Sequence, residues 1–211
     1  MKRGFVFEQS LCVNCKACSA ACSLENSFTV KVRNVLTYNH ELSVSVPLTN
    51  LSIACNHCEI PVCMTGCPAS AYRFDPLSDA VILDETKCIG CKYCTWNCPF
   101  DAPKYDPDKR VIGKCHFCYS RLEEGFEPAC TSGCPTGALS FTDVVEFNQQ
   151  EAPDWFPGYE LSPALRFIGS SNTIPLRIVP ASLFRNEMKQ EPVGKKNGIS
   201  EWSLILFSFF L

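Results

Sequence analysis

Residues Cys88-Ile89-Gly90-Cys91-Lys92-Tyr93-Cys94-Thr95-Trp96-Asn97-Cys98-Pro99 read C-x2-C-x2-C-x3-C-P. Three cysteines set two residues apart can cup one face of an iron–sulfur cube from a tight loop. The fourth, held before a proline, is thrown outward. In bacterial-type ferredoxins that fourth cysteine ligates the other cluster of a pair. The stretch therefore predicts a second motif that supplies its missing ligand, and the chain contains three more.

The first group is Cys12-x2-Cys15-x2-Cys18-x3-Cys22, followed by Ser23 rather than proline. Small residues (Ala17, Ser19, Ala20, Ala21) let a helical turn approach a bulky cluster there. The second group is Cys55-x2-Cys58-x4-Cys63-x3-Cys67-Pro68 and the fourth is Cys115-x2-Cys118-x11-Cys130-x3-Cys134-Pro135. Together the groups use all 16 cysteines. Groups one and three are compact, whereas groups two and four share an enlarged gap between their second and third cysteines. This order implies two ferredoxin-like halves. Groups two and three, about residues 52–112, make an inner half, and groups one and four wrap around it. The expected class is α+β, with short helices and β-hairpins around four [4Fe–4S] clusters and an extended C-terminal arm.

If the fourth cysteines cross over, Cys12, Cys15, Cys18 and Cys134 hold cluster 1, and Cys115, Cys118, Cys130 and Cys22 hold cluster 2. Cys55, Cys58, Cys63 and Cys98 then hold cluster 3, and Cys88, Cys91, Cys94 and Cys67 hold cluster 4. Each cluster pair would staple two loops, so the metal-free chain is expected to fold poorly. Four zinc sites would also use every cysteine, but zinc ribbons and knuckles usually show two separated C-x2-C pairs. Disulfides suit shorter secreted chains. His57 and His116 lie inside cysteine groups that already have four ligands, so packing or hydrogen bonding beside a cluster is favoured over ligation. Tyr93, Trp96, Phe100 and Tyr119 are expected to pack against clusters and exclude water.

Between the groups, Gly4–Glu8 reads as a strand. Val30–Tyr38 and Leu42–Leu48 read as a hairpin turning at Asn39-His40-Glu41, with His40 on the surface. Ala71–Phe74 and Ala80–Leu83 flank a turn-rich stretch from Asp75 to Asp79, and a second hairpin turns at Pro107-Asp108-Lys109. Tyr119–Glu124 reads as a helical turn ended by Gly125, and Ala138–Phe141 as a strand. The cluster domain is thus placed at residues 1–150. Six prolines from Pro153 to Pro192 mark residues 151–198 as an extended arm, and residues 199–211 form an apolar tail. As a helix the last ten residues would reach about 15 Å, roughly half a hydrocarbon core.

The 211-residue chain has 46% hydrophobic and 19% charged residues and a formal net charge of −3, which offers nothing to a nucleic acid. The N-terminus lacks the apolar core of a signal peptide. No Ser/His/Asp set, phosphate loop or dinucleotide fingerprint appears. The chain reads as wiring without a substrate site.

The order of groups resembles the four-cluster iron–sulfur subunit of the dimethyl sulfoxide reductase family of molybdopterin oxidoreductases. The resemblance spans roughly residues 4–143 and rests on three stretches: Ser52-Ile53-Ala54-Cys55-Asn56-His57-Cys58, the third group with Phe100, Ala102 and Pro103, and Lys114-Cys115 through Gly137-Ala138-Leu139. It implies electron transfer between a quinol-oxidising membrane anchor subunit and a molybdopterin-containing catalytic subunit of an anaerobic respiratory reductase. Cluster 1 would face the molybdenum subunit and cluster 4 the quinol. Replacement of one third-group cysteine gives a [3Fe–4S] centre in nitrate-reductase-like relatives; Cys88, Cys91 and Cys94 are all present here. A bacterial inner-membrane complex is implied, with the periplasmic face reached by co-export with a twin-arginine partner as one option for its side. Residues Ser200–Phe207 are similar to the opening of the anchor's first membrane helix, which implies either a C-terminal fusion to the anchor or a short docking helix. The alternatives are a formate dehydrogenase- or hydrogenase-type beta subunit and a free polyferredoxin.

Overall fold

A computed structural model describes residues 2–38, 49–144 and 159–168. Strand β1 (Lys2–Glu8) is the middle of a three-stranded sheet. It pairs antiparallel with β8 (Leu139–Val144) and parallel with β9 (Leu165–Ile168). Phe5 and Phe7 are buried from this strand. Phe5 meets Phe117 and Phe141 edge-on at 5.0 and 5.7 Å between centroids, and Phe7 meets Phe167 at 6.4 Å. These edge-to-face contacts suit the ring quadrupoles and anchor the aromatic centre of the core.

The helices are α1 (Ala17–Asn26), α2 (Val62–Thr65), α3 (Tyr93–Asn97), α4 (Tyr119–Glu123) and α5 (Ala129–Ser132). All but α1 have four or five residues. Such turns cannot offset the cost of helix nucleation alone, so their packing holds them. Helix α1 packs on α5, and α2 on α3. A glycine permits close approach in each pair. A Cβ on Gly133 would stand 2.9 Å from Ala21 Cβ, and one on Gly66 would meet the Asn97 side chain at 2.0 Å. The small residues of the first group therefore serve helix–helix contact.

Two hairpins follow the same turn chemistry. Strands β4 (Tyr72–Phe74) and β5 (Val81–Leu83) pair antiparallel, as do β6 (Lys104–Asp106) and β7 (Val111–Gly113). An Asp-Pro step opens both turns. The Asp75 carboxylate accepts the Ser78 N–H at 3.0 Å and its hydroxyl at 2.7 Å. Asp106 accepts the N–H groups of Asp108 and Lys109 at 2.9 and 3.0 Å. An aspartate that caps its own turn in this way fixes the hairpin locally.

Two elements depart from the sequence reading. Strand β2 (Asn34–Tyr38) pairs with β3 (Thr49–Ile53), in register from Asn34↔Ile53 to Tyr38↔Thr49. The return strand expected at Leu42–Leu48, the turn at Asn39-His40-Glu41 and His40 itself lie outside the described residues. Part of the stretch assigned to an extended arm is core. Residues Tyr159–Leu161 form a 3-10 turn, and Leu161, Ala164, Leu165 and Phe167 are buried. Backbone bonds hold this segment on two sides. Ala164 N–H donates to Asn56 O at 2.6 Å, while its carbonyl accepts the Phe5 N–H at 2.9 Å. The folded domain therefore reaches at least residue 168, beyond the boundary placed at 150; residues 151–158 and 169–211 lie outside the described set.

Replacing Leu165 by alanine should cost about 2–5 kcal/mol. Replacing the half-exposed Ile168 should stay within about 0.5 kcal/mol. Thermal loss of visible cluster absorbance compares the two variants.

Candidate metal centres

Each cysteine group bends at the same place. The residue before its second cysteine has a left-handed backbone: Asn14 at φ 56°, His57 at 44°, Gly90 at 66° and Phe117 at 59°. Asparagine and glycine enter that region at low cost. His57 and Phe117 are held there by packing, their rings 3.6 Å apart at the centroids. A left-handed residue in a tight loop turns successive N–H groups toward one point and makes a nest for an anion. Accordingly the His57 N–H points at Cys55 Sγ, 3.5 Å away.

The loops bring cysteines together across groups. One pocket is lined by Cys55, Cys58, Cys63 and Cys98. A second is lined by Cys67, Cys88, Cys91 and Cys94. The Cys12 thiol has Cys18, Cys134 and Cys15 as its electrostatic neighbours. Cys22 faces Cys130 and Cys118, and Cys115 faces Cys22 and Cys130. Charge also acts between these groups: Cys18 on Cys22, Cys55 on Cys115 and Cys94 on Cys63.

Burial pushes eight of these thiols upward. Cys22 and Cys63 rise to about 12 and Cys98 to about 11, with Cys58 and Cys115 raised too. Cys134 goes the other way: burial raises it, but bonds from the Leu139 N–H and from Thr136 outweigh burial. The raised thiols stay protonated until a metal replaces the proton, so loading releases acid.

The two cavities fit a sulfur-bearing cluster better than a single ion. Each offers four soft donors. Asn56 Nδ2 adds a buried donor without a protein partner on the first, and on the second the Tyr72 hydroxyl is directed at Cys94. Burial and then Cys94 push the Tyr72 phenol far above its ordinary range, so it keeps its proton to donate. One tetrahedral ion would draw four sulfurs to about 2.3 Å from itself; among the described residues no group of His, Cys, Asp or Glu gathers in that way.

Exposure of the cysteines is graded. All four of Cys22, Cys115, Cys118 and Cys130 are buried, as are Cys55, Cys58, Cys63 and Cys98. The outer sets are wetter. Cys15 is exposed and Cys12 and Cys134 half-buried, while Cys67, Cys88 and Cys91 are half-buried.

Several side chains depart from expectation or escaped it. Phe100 is buried and lines the first cavity. Tyr93, Trp96 and Tyr119 are 49, 59 and 38% exposed, and Tyr93 lies tilted against Trp96 at 5.4 Å rather than sealing a cluster. In α3 the 3.6-residue period turns Cys94 inward and residues 93 and 96 outward. His57 is a core residue whose Nδ1 accepts the Val81 N–H at 3.1 Å. Leu161, from the presumed arm, closes the first cavity. The buried cations Arg33 and Lys114 carried no sequence signal beyond a basic residue in an apolar stretch.

Short loops that crowd four cysteines around each of two pockets define a ferredoxin-type electron-transfer protein. A family model described as a 4Fe-4S dicluster domain matches residues 46–144. The protein is 38% identical to the probable anaerobic dimethyl sulfoxide reductase chain YnfG of Escherichia coli over 159 residues, which cover 70% of the present sequence and 76% of that relative. It is 36% identical to a tetrathionate reductase subunit of Salmonella typhimurium over 140 residues, 64% of its own length and 55% of the relative's. It is 32% identical to the formate dehydrogenase-O iron-sulfur subunit of E. coli over 154 residues, 64% and 51% of the two lengths. This protein belongs to the family of iron–sulfur subunits of the dimethyl sulfoxide reductase type. Its cofactors are [4Fe–4S] clusters and its activity is electron transfer.

Gly90 offers a local test. A Cβ there would lie 2.4 Å from Arg110 O on a left-handed backbone. Gly90→Ala should lower iron content by about a quarter, the share of one cube in four, as read by metal analysis of the anaerobically purified protein.

Proposed function

We propose that the protein carries electrons through four [4Fe–4S] clusters between a quinol-oxidising membrane subunit and a molybdopterin-containing catalytic subunit. The ligand sets are Cys12, Cys15, Cys18 and Cys134; Cys22, Cys115, Cys118 and Cys130; Cys55, Cys58, Cys63 and Cys98; and Cys67, Cys88, Cys91 and Cys94. The graded exposure of the cysteines carries this reading. Two dry sets lie between two wetter ones, as a conductor needs if electrons enter and leave only at its ends. The electrostatic influence of Cys18 on Cys22, of Cys55 on Cys115 and of Cys94 on Cys63 supports the same order.

When bound, each cluster supplies a one-electron store with little rearrangement. The protein's residues do the rest. Cysteines from two distant loops share each cluster, so groups two and three form one ferredoxin-like half and groups one and four the other. The contacts of α2 with α3 and of α1 with α5 support this interleaving. Phe100, Ala102, Pro103 and Leu161 keep water from the third set. The wetter fourth set faces the quinol side and the first set the catalytic subunit.

The complex is placed at a bacterial inner membrane. Among the described residues no helix is long and apolar enough to cross a membrane. Attachment is therefore assigned to a partner subunit or to residues 199–211, as a fusion or a docking segment.

Two measurements test the reading. Iron should reach about 16 per chain, four from each cube, with matching acid-labile sulfide. In EPR redox titration, Cys67→Ser should alter the centre held by Cys88, Cys91 and Cys94; a change confined to the centre of Cys55, Cys58 and Cys63 would refute the crossed ligands. Isolation as a stable monomer without a large partner would favour a free polyferredoxin.

A further inference from the structure

Two cations are sealed in the core beside the cysteine sets. Lys114 is 4% exposed and Arg33 2%. Lys114 Nζ lies 3.4 Å from Cys55 Sγ and donates to Cys115 O at 2.7 Å and to Val81 O. Its three donors are thus committed to one thiol and two carbonyls. The ammonium stands where the second and third cysteine sets adjoin, since Cys115 belongs to one and Cys55 to the other.

Arg33 occupies the corresponding place between the first two sets. Its Nη1 donates to Ser52 Oγ at 3.0 Å, and that hydroxyl lies 3.3 Å from Cys18 Sγ. Its Cζ lies 4.5 Å from the centre of the Phe5 ring. Nε and Nη2 are buried with no protein partner, and Cys130, Cys115, Cys18 and Cys22 are its strongest electrostatic neighbours. Among the described residues, no carboxylate pairs with either cation.

A buried charge lacking a counter-ion is strongly unfavourable, and neutral carbonyls, a hydroxyl and a ring only partly offset that. Four thiolates around each metal site supply negative charge at the right places. A fixed positive charge between two such sites favours the state with one more electron, because cluster potential follows local charge and hydrogen bonding to sulfur. We propose that Lys114 and Arg33 are positioning charges that raise the reduction potentials of the clusters on either side of them and hold the dry middle of the relay reducible. The proposal rests on the ligand sets given above.

The test is EPR redox titration of the intact complex carrying Lys114→Gln or Lys114→Arg, with iron and sulfide assayed on each sample. The centre concerned is identified as the signal that Cys55→Ser removes, an identification independent of whether Cys98 crosses over. A failure of the crossing shows itself separately in Cys67→Ser. Lys114→Gln should shift the reduction equilibrium of that centre at least tenfold toward the oxidised form, about 59 mV for one electron, and Lys114→Arg should restore most of it. Full iron with an unmoved midpoint in Lys114→Gln overturns the proposal. If the glutamine variant loses iron, Lys114→Arg decides: retention there supports the charge, and loss there too makes Lys114 a strut fitted by shape and overturns it. Arg33→Gln and Arg33→Lys repeat the comparison on the centre that Cys22→Ser removes.

Discussion

Thiols from loops far apart in sequence must meet around one cavity, and they must do so inside a protein. Cys98 reaches the wall formed by Cys55, Cys58 and Cys63, and Cys67 that formed by Cys88, Cys91 and Cys94. Helices of four or five residues and three-residue strands could not hold that arrangement alone. The glycines at the α1–α5 and α2–α3 contacts, the aspartate-capped turns and the left-handed bend in each cysteine loop all serve the same demand. Each shortens the distance between backbones or turns a thiol inward.

The central sheet gives this assembly its rigid part. Phe5 and Phe7 anchor the core, while β9 adds a parallel strand and the turn before it carries Leu161 onto a cavity wall. The dry interior raises Cys22, Cys63 and Cys98, keeps two groups of four cysteines from water and makes the two buried cations electrostatically strong, since charge acts further where water is excluded. Packing and electrostatics are therefore one property of this interior.

Local chemistry was legible wherever residue type decides conformation. The C-x2-C-x2-C runs, the Asp-Pro turns, the strand at Ala138–Phe141 and the stop at Gly125 follow from short-range rules, and the structure has each of them. Thr49–Ile53 carries no stronger strand signal than Leu42–Leu48, so its pairing with β2 depends on what lies opposite. Around residues 159–168 proline density masks the alternation of Leu165 and Phe167 with Arg166 and Ile168. That alternation acquires meaning only beside the open edge of β1.

By itself the sequence determined the cluster chemistry, because sixteen thiols at ferredoxin spacing admit few other uses. It also determined the short-range turns that shape each loop. Only the tertiary structure decided which cysteine sets are dry, that Tyr93 and Trp96 face outward, that Leu161 closes a cavity, and that Arg33 and Lys114 lie between sets. Burial and long-range neighbours are properties of the packed protein. A lysine next to a cysteine reads the same in the sequence whether it points to water or into the core.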